Sequence, residues 1–327
     1  MLKLGIVGLG QWGRRLVGAI QKDGEPKSTL VHFTAGYTRS PNNHHAFCQQ
    51  EGLTLFDSYQ DLLKSVDSVI IASPHSEHVD QICQAAAAGL SIFVEKPLAL
   101  DVAGALKAID AAGRAGKQLA VGFNRRFLPA YSRLQGLLAD GRLGRILHLE
   151  GNFSGPFGMQ FAPEDWRAHG SETPAGGMTL MGIHVLDAMI GLAGPIAGVR
   201  ARSRRQILEI DLDDTTDVQI EFASGCTGYL STMTATGRNW RLQVFGTNGW
   251  AEMHGYQQLT FAPIGQDTET TQFDAVDIER AELEAFARFV VDGTEYPIPI
   301  QEVVRGIAAL EAVYKSTTED RFVAVDS

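Results

Sequence analysis

Gly8, Gly10 and Gly13 are spaced so that the backbone could wrap closely around a phosphate. They sit in Gly8-Leu9-Gly10-Gln11-Trp12-Gly13, directly after Lys3–Val7, an apolar run that reads as a buried strand. Arg14–Lys22 follows with Leu16, Val17 and Ile20 at helical spacing. In such a strand–turn–helix the first glycine permits the tight turn. The second lets the backbone approach a pyrophosphate, and the third lets helix and strand pack closely. The free N–H groups of the helix N-terminus, where Gln11 and Trp12 stand, then face the anion. The spacing alone says little in a chain with 35 glycines. Its place between a buried strand and a helix makes it a dinucleotide site.

The end of the second strand chooses the dinucleotide. A site for NAD usually carries Asp or Glu there to hold the ribose hydroxyls. This chain reads Tyr37-Thr38-Arg39-Ser40, with no carboxylate before Glu51. Arg39 and Ser40 suit a 2′-phosphate, which a planar guanidinium fork recognises well. NADP is the expected cofactor, with NAD the alternative.

The elements that must position these residues follow a regular rhythm. Strand patterns at Lys3–Val7, Leu30–Gly36, Asp67–Ala72, Ile92–Val94 and Leu119–Gly122 alternate with helix patterns. The helices are Arg14–Lys22, Ser58–Lys64 capped by Ser58, Ser76–Ala88 closed by Gly89, and one from Asp101 to Ala115 stopped by Gly116. Val69-Ile70-Ile71-Ala72 is the run expected of a parallel strand buried on both faces. The pattern predicts an α/β fold with a doubly wound parallel sheet over residues 1–122. The rhythm then changes. Pro129–Asp140 and Met178–Leu192 read as helices, separated by His148–Phe153 and a long loop rich in Gly, Pro and aromatics. Val218, Ile220 and Phe222 alternate with Asp217, Gln219 and Glu221, Ser224-Gly225 turns the chain, and Tyr229–Met233 returns. Arg241–Phe245 and Trp250–Met253 flank Asn248-Gly249, a hairpin signal. Helices at Glu279–Val291 and Gln301–Thr317 close the chain. Residues 123–327 are expected to form one second domain around an antiparallel sheet covered on one face.

Three further motifs, Ser73-Pro74-His75-Ser76-Glu77-His78, Glu95-Lys96-Pro97 and Gly122-Phe123-Asn124-Arg125-Arg126-Phe127, share one order and spacing. With them the chain resembles, over nearly its whole length, the Gfo/Idh/MocA family of glucose–fructose oxidoreductase, inositol dehydrogenase and rhizopine catabolism. The resemblance implies an N-terminal Rossmann domain and a C-terminal α+β domain with a large, open, mostly antiparallel sheet. It implies assembly as a homodimer or homotetramer through that sheet, and sugars, polyols or related hydroxy compounds as substrates. The family's motif lysine falls on Lys96. Its Gly-Gly…His-x-x-Asp motif falls on Gly176-Gly177 and His184–Asp187. One position departs: many members carry aspartate four residues before the histidine, where this chain has Leu180. A leucine can neither accept a hydrogen bond nor take a proton.

Roles follow from chemistry and place. Lys96 ends a buried strand at the carboxyl edge of the parallel sheet, where such folds bind ligands, and partial desolvation there favours its neutral form. It is expected to polarise or orient the reacting oxygen, with Pro97 in a cis bond. His184 is expected to be the general acid/base, since imidazole exchanges protons near neutrality. Asp187, at i+3, shares its helix face and is expected to orient the ring, bind substrate or form a salt bridge. Ser73, Pro74, His75, His78 and Glu95 are placed near the dinucleotide. Asn124 and Arg125, leaving the last parallel strand, are placed at the substrate; Trp166-Arg167 in the long loop resembles a family segment that lines the nicotinamide and substrate, and the resemblance places it there too. Arg200, Arg202, Arg204 and Arg205 read as a solvated or subunit-facing strand.

Composition excludes other classes. The chain has 327 residues, 44% hydrophobic and 20% charged, enough for two cores and not a disordered composition. Its formal charge of −10 disfavours nucleic acid and anionic membranes as partners. Cys48, Cys83 and Cys226 form no CxxC pair, so neither a metal site nor a disulfide framework is expected. No run approaches membrane-spanning length, and Met1–Gly10 lacks the features of a signal peptide, so a cytoplasmic location is expected. The reading is an NADP-preferring dehydrogenase or reductase acting on a small sugar-like hydroxy or oxo compound. Its rivals are a redox-assisted lyase or hydrolase with tightly held dinucleotide, and a non-catalytic dinucleotide sensor.

Overall fold

The computed structural model describes residues 1–325 and divides the chain into two compact units. The first comprises Met1–Asn124 and Asp277–Ile300. Its six-stranded sheet is built from β1 (Leu2–Val7), β2 (Val31–Tyr37), β3 (Thr54–Phe56), β4 (Ser68–Ile71), β5 (Ser91–Glu95) and β6 (Leu119–Gly122). The strands lie in the order β3-β2-β1-β4-β5-β6, all parallel. This is the doubly wound arrangement, with its crevice where the order reverses between β1 and β4. The central strands are buried along their whole length because helices cover both faces: Val69, Ile70, Ile71, Ile92, Phe93 and Val94 are inaccessible to solvent. Each contributes roughly 1.5–3 kcal/mol by burial. The crossover helices include α1 (Gln11–Ile20), α2 (His45–Gln50), α3 (Tyr59–Leu63), α4 (His78–Ala87) and α5 (Val102–Arg114). Two start as their capping residues predict: Ser58 Oγ accepts from the Asp61 amide at 3.1 Å, and Asp101 Oδ1 from that of Gly104 at 2.6 Å. Ala105, Ala108 and Ala112 give α5 a small apolar face for packing.

The boundary at residue 122 moves only to Asn124, but the assignment of all of 123–327 to the second unit is corrected. Asp277–Ile300, carrying α8 (Ile278–Val291), returns to the first. Phe286 of α8 meets Phe93 of β5 edge-on, ring centroids 5.8 Å apart. Arg280 donates to the carbonyl of Ala19, Glu279 pairs with Arg15 at 2.8 Å, and the Tyr296 hydroxyl donates to the carbonyl of Val121. Amphipathic periodicity reveals a helix and its apolar stripe. Which sheet that stripe covers depends on complementary side chains far away in sequence.

The second unit, Arg125–Val276 and Gln301 onward, is built on nine strands. They are β7 (Ile146–Ser154), β8 (Ile196–Arg204), β9 (Thr215–Phe222), β10 (Thr227–Met233), β11 (Asn239–Gly246), β12 (Gly249–His254), β13 (Gln258–Pro263), β14 (Glu269–Gln272) and β15 (Val323–Ala324). Their order is β14-β13-β12-β11-β7-β10-β9-β8-β15, antiparallel throughout except for β7 beside β10. The alternation of β9 behaves as read: Val218, Ile220 and Phe222 are buried, while Gln219 and Glu221 are exposed. The hairpin after β11 closes at Gly249, whose φ of +148° and nearness to the Ala262 carbonyl leave no room for a side chain. β13, β14, β15 and, in the first unit, β3 escape the sequence reading: β3, β14 and β15 are short, and β14 is exposed throughout, whereas β13 does alternate, with Leu259 and Phe261 buried.

α7 (Ile183–Ala193) lies on the covered face and is buried from Ile183 to Ile190. β7 passes beneath it at Gly151, where a Cβ would come within 2.4 Å of Val185 Cγ1. α6 (Pro129–Ala139) and α9 (Ile300–Glu319) are the other long helices of this unit. The predicted helix Met178–Leu192 differs at its start. Met178–Gly182 is a single π-helical turn, and Thr179 Oγ1 bonds the carbonyl of Pro174. Such wide turns concentrate at functional sites.

Candidate active site and dinucleotide loop

The glycine loop meets the demands of a phosphate cradle. Gly8 has a φ of +91°, and a Cβ there would lie 2.5 Å from the Ala72 carbonyl oxygen. A Cβ at Gly13 would lie 1.9 Å from the carbonyl oxygen of Gly8, so only glycine lets α1 pack this close. At Gly10 the opposite holds: nothing lies within 4 Å of the Cβ position, and the residue is exposed. Gly10 caps α1 without a side-chain hydrogen bond, and no acidic residue occupies the first turn. The first-turn amides and positive helix end at Gln11 and Trp12 are left for an external anion. Arg14 fastens the other side of the helix start. It donates to the carbonyls of Leu9 and Asn43, meets His44 Nδ1 at 3.0 Å, and stacks on Phe47. These features fit the pyrophosphate of a dinucleotide.

Past β2, Tyr37 stacks on Tyr59, and Arg39 and Ser40 are exposed. Arg39 is not waiting unpaired, however: its Nη1 lies 2.9 Å from Glu77 Oε1. The sequence reading missed Glu77 as the partner that competes with any phosphate for this guanidinium.

Beyond β4 and β5 the carboxyl edge of the sheet is knitted together. Ser73 Oγ donates to Gln81 Oε1 at 2.7 Å, and Pro74 precedes a short turn, His75–Glu77, that leads into α4. His78 has no solvent exposure. Its Nδ1 lies 2.8 Å from the Pro97 carbonyl and its Nε2 3.1 Å from that of Ser73. His78 is thus corrected from a dinucleotide contact to a brace between the Ser73 loop and the Lys96–Pro97 turn. His75 is also buried, edge-on to His78. Glu95 is buried too, its Oε1 only 3.0 Å from where a Cβ on Gly122 would sit. Lys96 itself is half-buried, and its bond to Pro97 is cis, as expected.

In the second unit His184 stands in the first turn of α7, 4% exposed, with its ring 6.1 Å from that of Phe153. Phe153 meets Trp240 edge-on at 5.1 Å, and Trp240 meets Tyr256 at 5.9 Å. Arg125 lies between Phe153 and Tyr256, about 5 Å from each ring, and donates to the Tyr256 hydroxyl at 2.9 Å. The histidine therefore borders an aromatic wall on the sheet. Phe153 and Trp240 are themselves buried.

Comparison with known proteins agrees with this geometry. Residues 2–123 match the family described as "Oxidoreductase family, NAD-binding Rossmann fold", and residues 131–252 match "GFO/IDH/MocA C-terminal domain". The chain belongs to the Gfo/Idh/MocA family. Among its relatives is the D-xylose 1-dehydrogenase (NADP(+)) 2 of Haloferax volcanii, 28% identical over 84% of this chain and 85% of that one. A putative NADPH-dependent oxidoreductase from Desulfitobacterium hafniense has the same fold, with a TM-score of 0.91 over 99% of this chain and 97% of that one at 24% identity. So does the WlbA dehydrogenase of Bordetella pertussis, solved with NADH and UDP-GlcNAcA, with a TM-score of 0.88 over 100% and 98% at 19% identity.

The remaining predicted residues of this Gfo/Idh/MocA protein divide into two groups. Leu180 stands half-buried on the π turn, one helical turn before His184. Trp166 and Arg167 stack on one another at 4.1 Å. Asn124 is 1% exposed and donates to Glu279 at 3.2 Å, which makes it an anchor for α8. Of the roles expected of Asp187, the structure shows the salt bridge. Asp187 is 3% exposed and held by Arg126, which also reaches Glu302 at 2.6 Å. Burial works against the Arg126 charge, but the two carboxylates outweigh it and raise its pKa. Arg126 went unassigned because a second arginine beside Arg125 carries no local sign of burial. Gly191 was the available signal, since a Cβ there would lie 1.8 Å from Arg126 Nη1. Among the described residues no group of His, Cys, Asp and Glu is placed to hold a metal, and no helix is long and apolar enough to cross a membrane.

Proposed function

We propose that this protein is an NADP-preferring dehydrogenase or reductase acting on a sugar-like or other small hydroxy or oxo compound. The carrying observation is the uncapped start of α1 above glycines that admit no side chain, in the unit that also bears Lys96 at the carboxyl edge of its sheet. The names of the relatives support both the dinucleotide and the sugar-like substrate class.

The bound nicotinamide supplies the acceptor or donor of hydride at a carbinol or carbonyl carbon. In oxidation His184 takes the hydroxyl proton, and in reduction it returns it. The Lys96 ammonium hydrogen-bonds the same oxygen as negative charge develops there. Gln11 and Trp12 offer first-turn amides to the pyrophosphate, and Arg39 with Ser40 selects the 2′-phosphate. The open face of the sheet is proposed to join copies of the chain. Its cross-strand row Arg200, Gln219, Tyr229, Glu150 and Gln243 is polar, as a self-complementary surface can be. A mass in solution equal to one chain would remove that part of the reading.

The test is titration of the purified protein with NADPH and NADH, followed by a screen of polyols, aldoses and their keto forms. NADPH is expected to bind more tightly, and Arg39→Ala to abolish the difference. Lys96→Ala and His184→Ala are expected to lower kcat by at least about a hundredfold while the dinucleotide still binds. A protein that binds neither dinucleotide, or variants with full turnover, would refute the reading. Turnover without net change in nicotinamide absorbance would favour the redox-assisted lyase, and binding without any turnover the sensor.

A further inference from the structure

The two phosphate sites proposed for the dinucleotide lie on separate segments, the glycine loop before α1 and the turn after β2. One side chain ties these segments together. Arg14, in the first turn of α1, sends Nε to the carbonyl of Leu9 in the glycine loop at 3.2 Å. Its Nη2 donates to the Asn43 carbonyl at 3.1 Å and to His44 Nδ1 at 3.0 Å, and its guanidinium lies 4.9 Å from the centre of the Phe47 ring on α2. A guanidinium only donates, so Nδ1 is the acceptor in the His44 contact. Burial, and after it the Arg14 charge, holds the His44 pKa below the ordinary imidazole value, which keeps that acceptor available at neutral pH.

The two segments do not depend on Arg14 equally. The glycine loop has other supports: the Gly8 amide donates to the Tyr37 carbonyl at 2.9 Å, and the Arg14 amide to that of Gly10 at 3.0 Å. Residues 40–44 are half-buried or exposed throughout. Among the described residues, every hydrogen bond that reaches them from outside this turn and α2 comes from Arg14. Ser40 opens this segment, and Arg39 immediately precedes it. Within one dinucleotide the adenosine limits the distance between 2′-phosphate and pyrophosphate. Both anions are held at once only where the two segments stand at a matching separation, and a turn fixed there in advance loses less entropy on binding.

Resting on the proposed NADP preference, we infer that Arg14 is the positioning residue for that preference. It sets the place of Ser40 and the turn behind it relative to the glycine loop, and it acts through Arg39 and Ser40.

The experiment titrates NADPH and NADH by calorimetry into the wild-type protein, Arg14→Lys, His44→Leu, Arg39→Ala and the double variant Arg14→Lys/Arg39→Ala. Lysine keeps the charge but lacks the planar fork that reaches both segments. Arg14→Lys is expected to lower the NADPH-to-NADH affinity ratio by about tenfold, while NADH affinity changes by less than about threefold. His44→Leu, which removes one acceptor, is expected to shift the ratio the same way by less, and it decides the matter where Arg14→Lys does not fold. The ratio of the double variant is expected to match that of Arg39→Ala within about twofold, because the group being positioned is then already gone. An equal loss for both dinucleotides, a ratio unchanged in every folded variant at Arg14 and His44, or additive losses in the double variant would overturn the inference. The wild type alone judges the NADP reading. NADH binding as tight as NADPH there removes that reading and this inference with it, whereas a preference that survives in Arg14→Lys removes only the inference.

Discussion

Arg126 grips Asp187 with both edges of its fork: Nε donates to Oδ2 at 2.7 Å, and Nη2 to Oδ1 at 3.1 Å and to the Asp187 carbonyl at 2.9 Å. Three residues before Asp187 on the same helix stands His184. The pair therefore fixes the rotation of α7, and with it the direction of the imidazole. Removing one partner of a buried pair strands the other charge, so Arg126→Ala is expected to destabilise the second unit by about 3–5 kcal/mol in urea unfolding. Gly191→Ala drives a methyl into the same guanidinium and should act in the same direction. A loss below about 1 kcal/mol in both would show that α7 is held by packing alone.

The loop glycines should respond in opposite ways. Gly10→Ala places its methyl in open space, so the melting temperature is expected to stay nearly constant while dinucleotide affinity falls by tenfold or more. Gly13→Ala collides with the Gly8 carbonyl and is expected to unfold the first unit or lower its stability severely. Unchanged NADPH binding by a folded Gly10→Ala protein would mean that the phosphates lie elsewhere.

Glu77 holds the Arg39 guanidinium that the proposed function assigns to a cofactor phosphate. The ion pair is exposed, with side-chain accessibilities of 63% and 36%, and is worth at most about 1 kcal/mol. Glu77→Gln should therefore release the guanidinium and tighten NADPH binding by up to about fivefold, with little effect on NADH. Side-by-side fluorescence titrations would reveal this, and an equal change for both dinucleotides would count against a 2′-phosphate role for Arg39.

Acid should loosen one loop of the second unit. Asp214 Oδ2 accepts from the amides of Gln206, Ile207 and Leu208 at 2.8, 2.6 and 3.1 Å, and Thr215 donates to Oδ1. Burial opposes ionisation, but these donors outweigh it and hold the carboxyl below its ordinary value. Because the folded pKa is depressed, this contribution is complete above the unfolded carboxylate value, about 4. It disappears as pH falls through the folded value. Asp214→Asn is expected to cost about 2 kcal/mol at neutral pH and progressively less below about pH 4. Hydrogen exchange of amides 206–208 would report the same change locally, and a pH-independent difference would contradict it.

Much of the site was legible because its signals are local. A glycine that must turn, a cap at Ser58 or Asp101, and an apolar run such as Val69–Ile71 each express a constraint felt within a few residues. The sequence by itself therefore determined the parallel sheet, the dinucleotide loop, the antiparallel hairpins and the turn bearing Lys96. Tertiary structure alone decided the partners. Arg39 met Glu77, Asn124 met Glu279, His78 met two carbonyls, Asp187 met Arg126, and α8 returned to the first unit. Side-chain charge and hydrogen-bonding capacity are fixed by residue type. What satisfies them is set by which distant segments the fold brings within about 3 Å, and no short-range pattern encodes that distance.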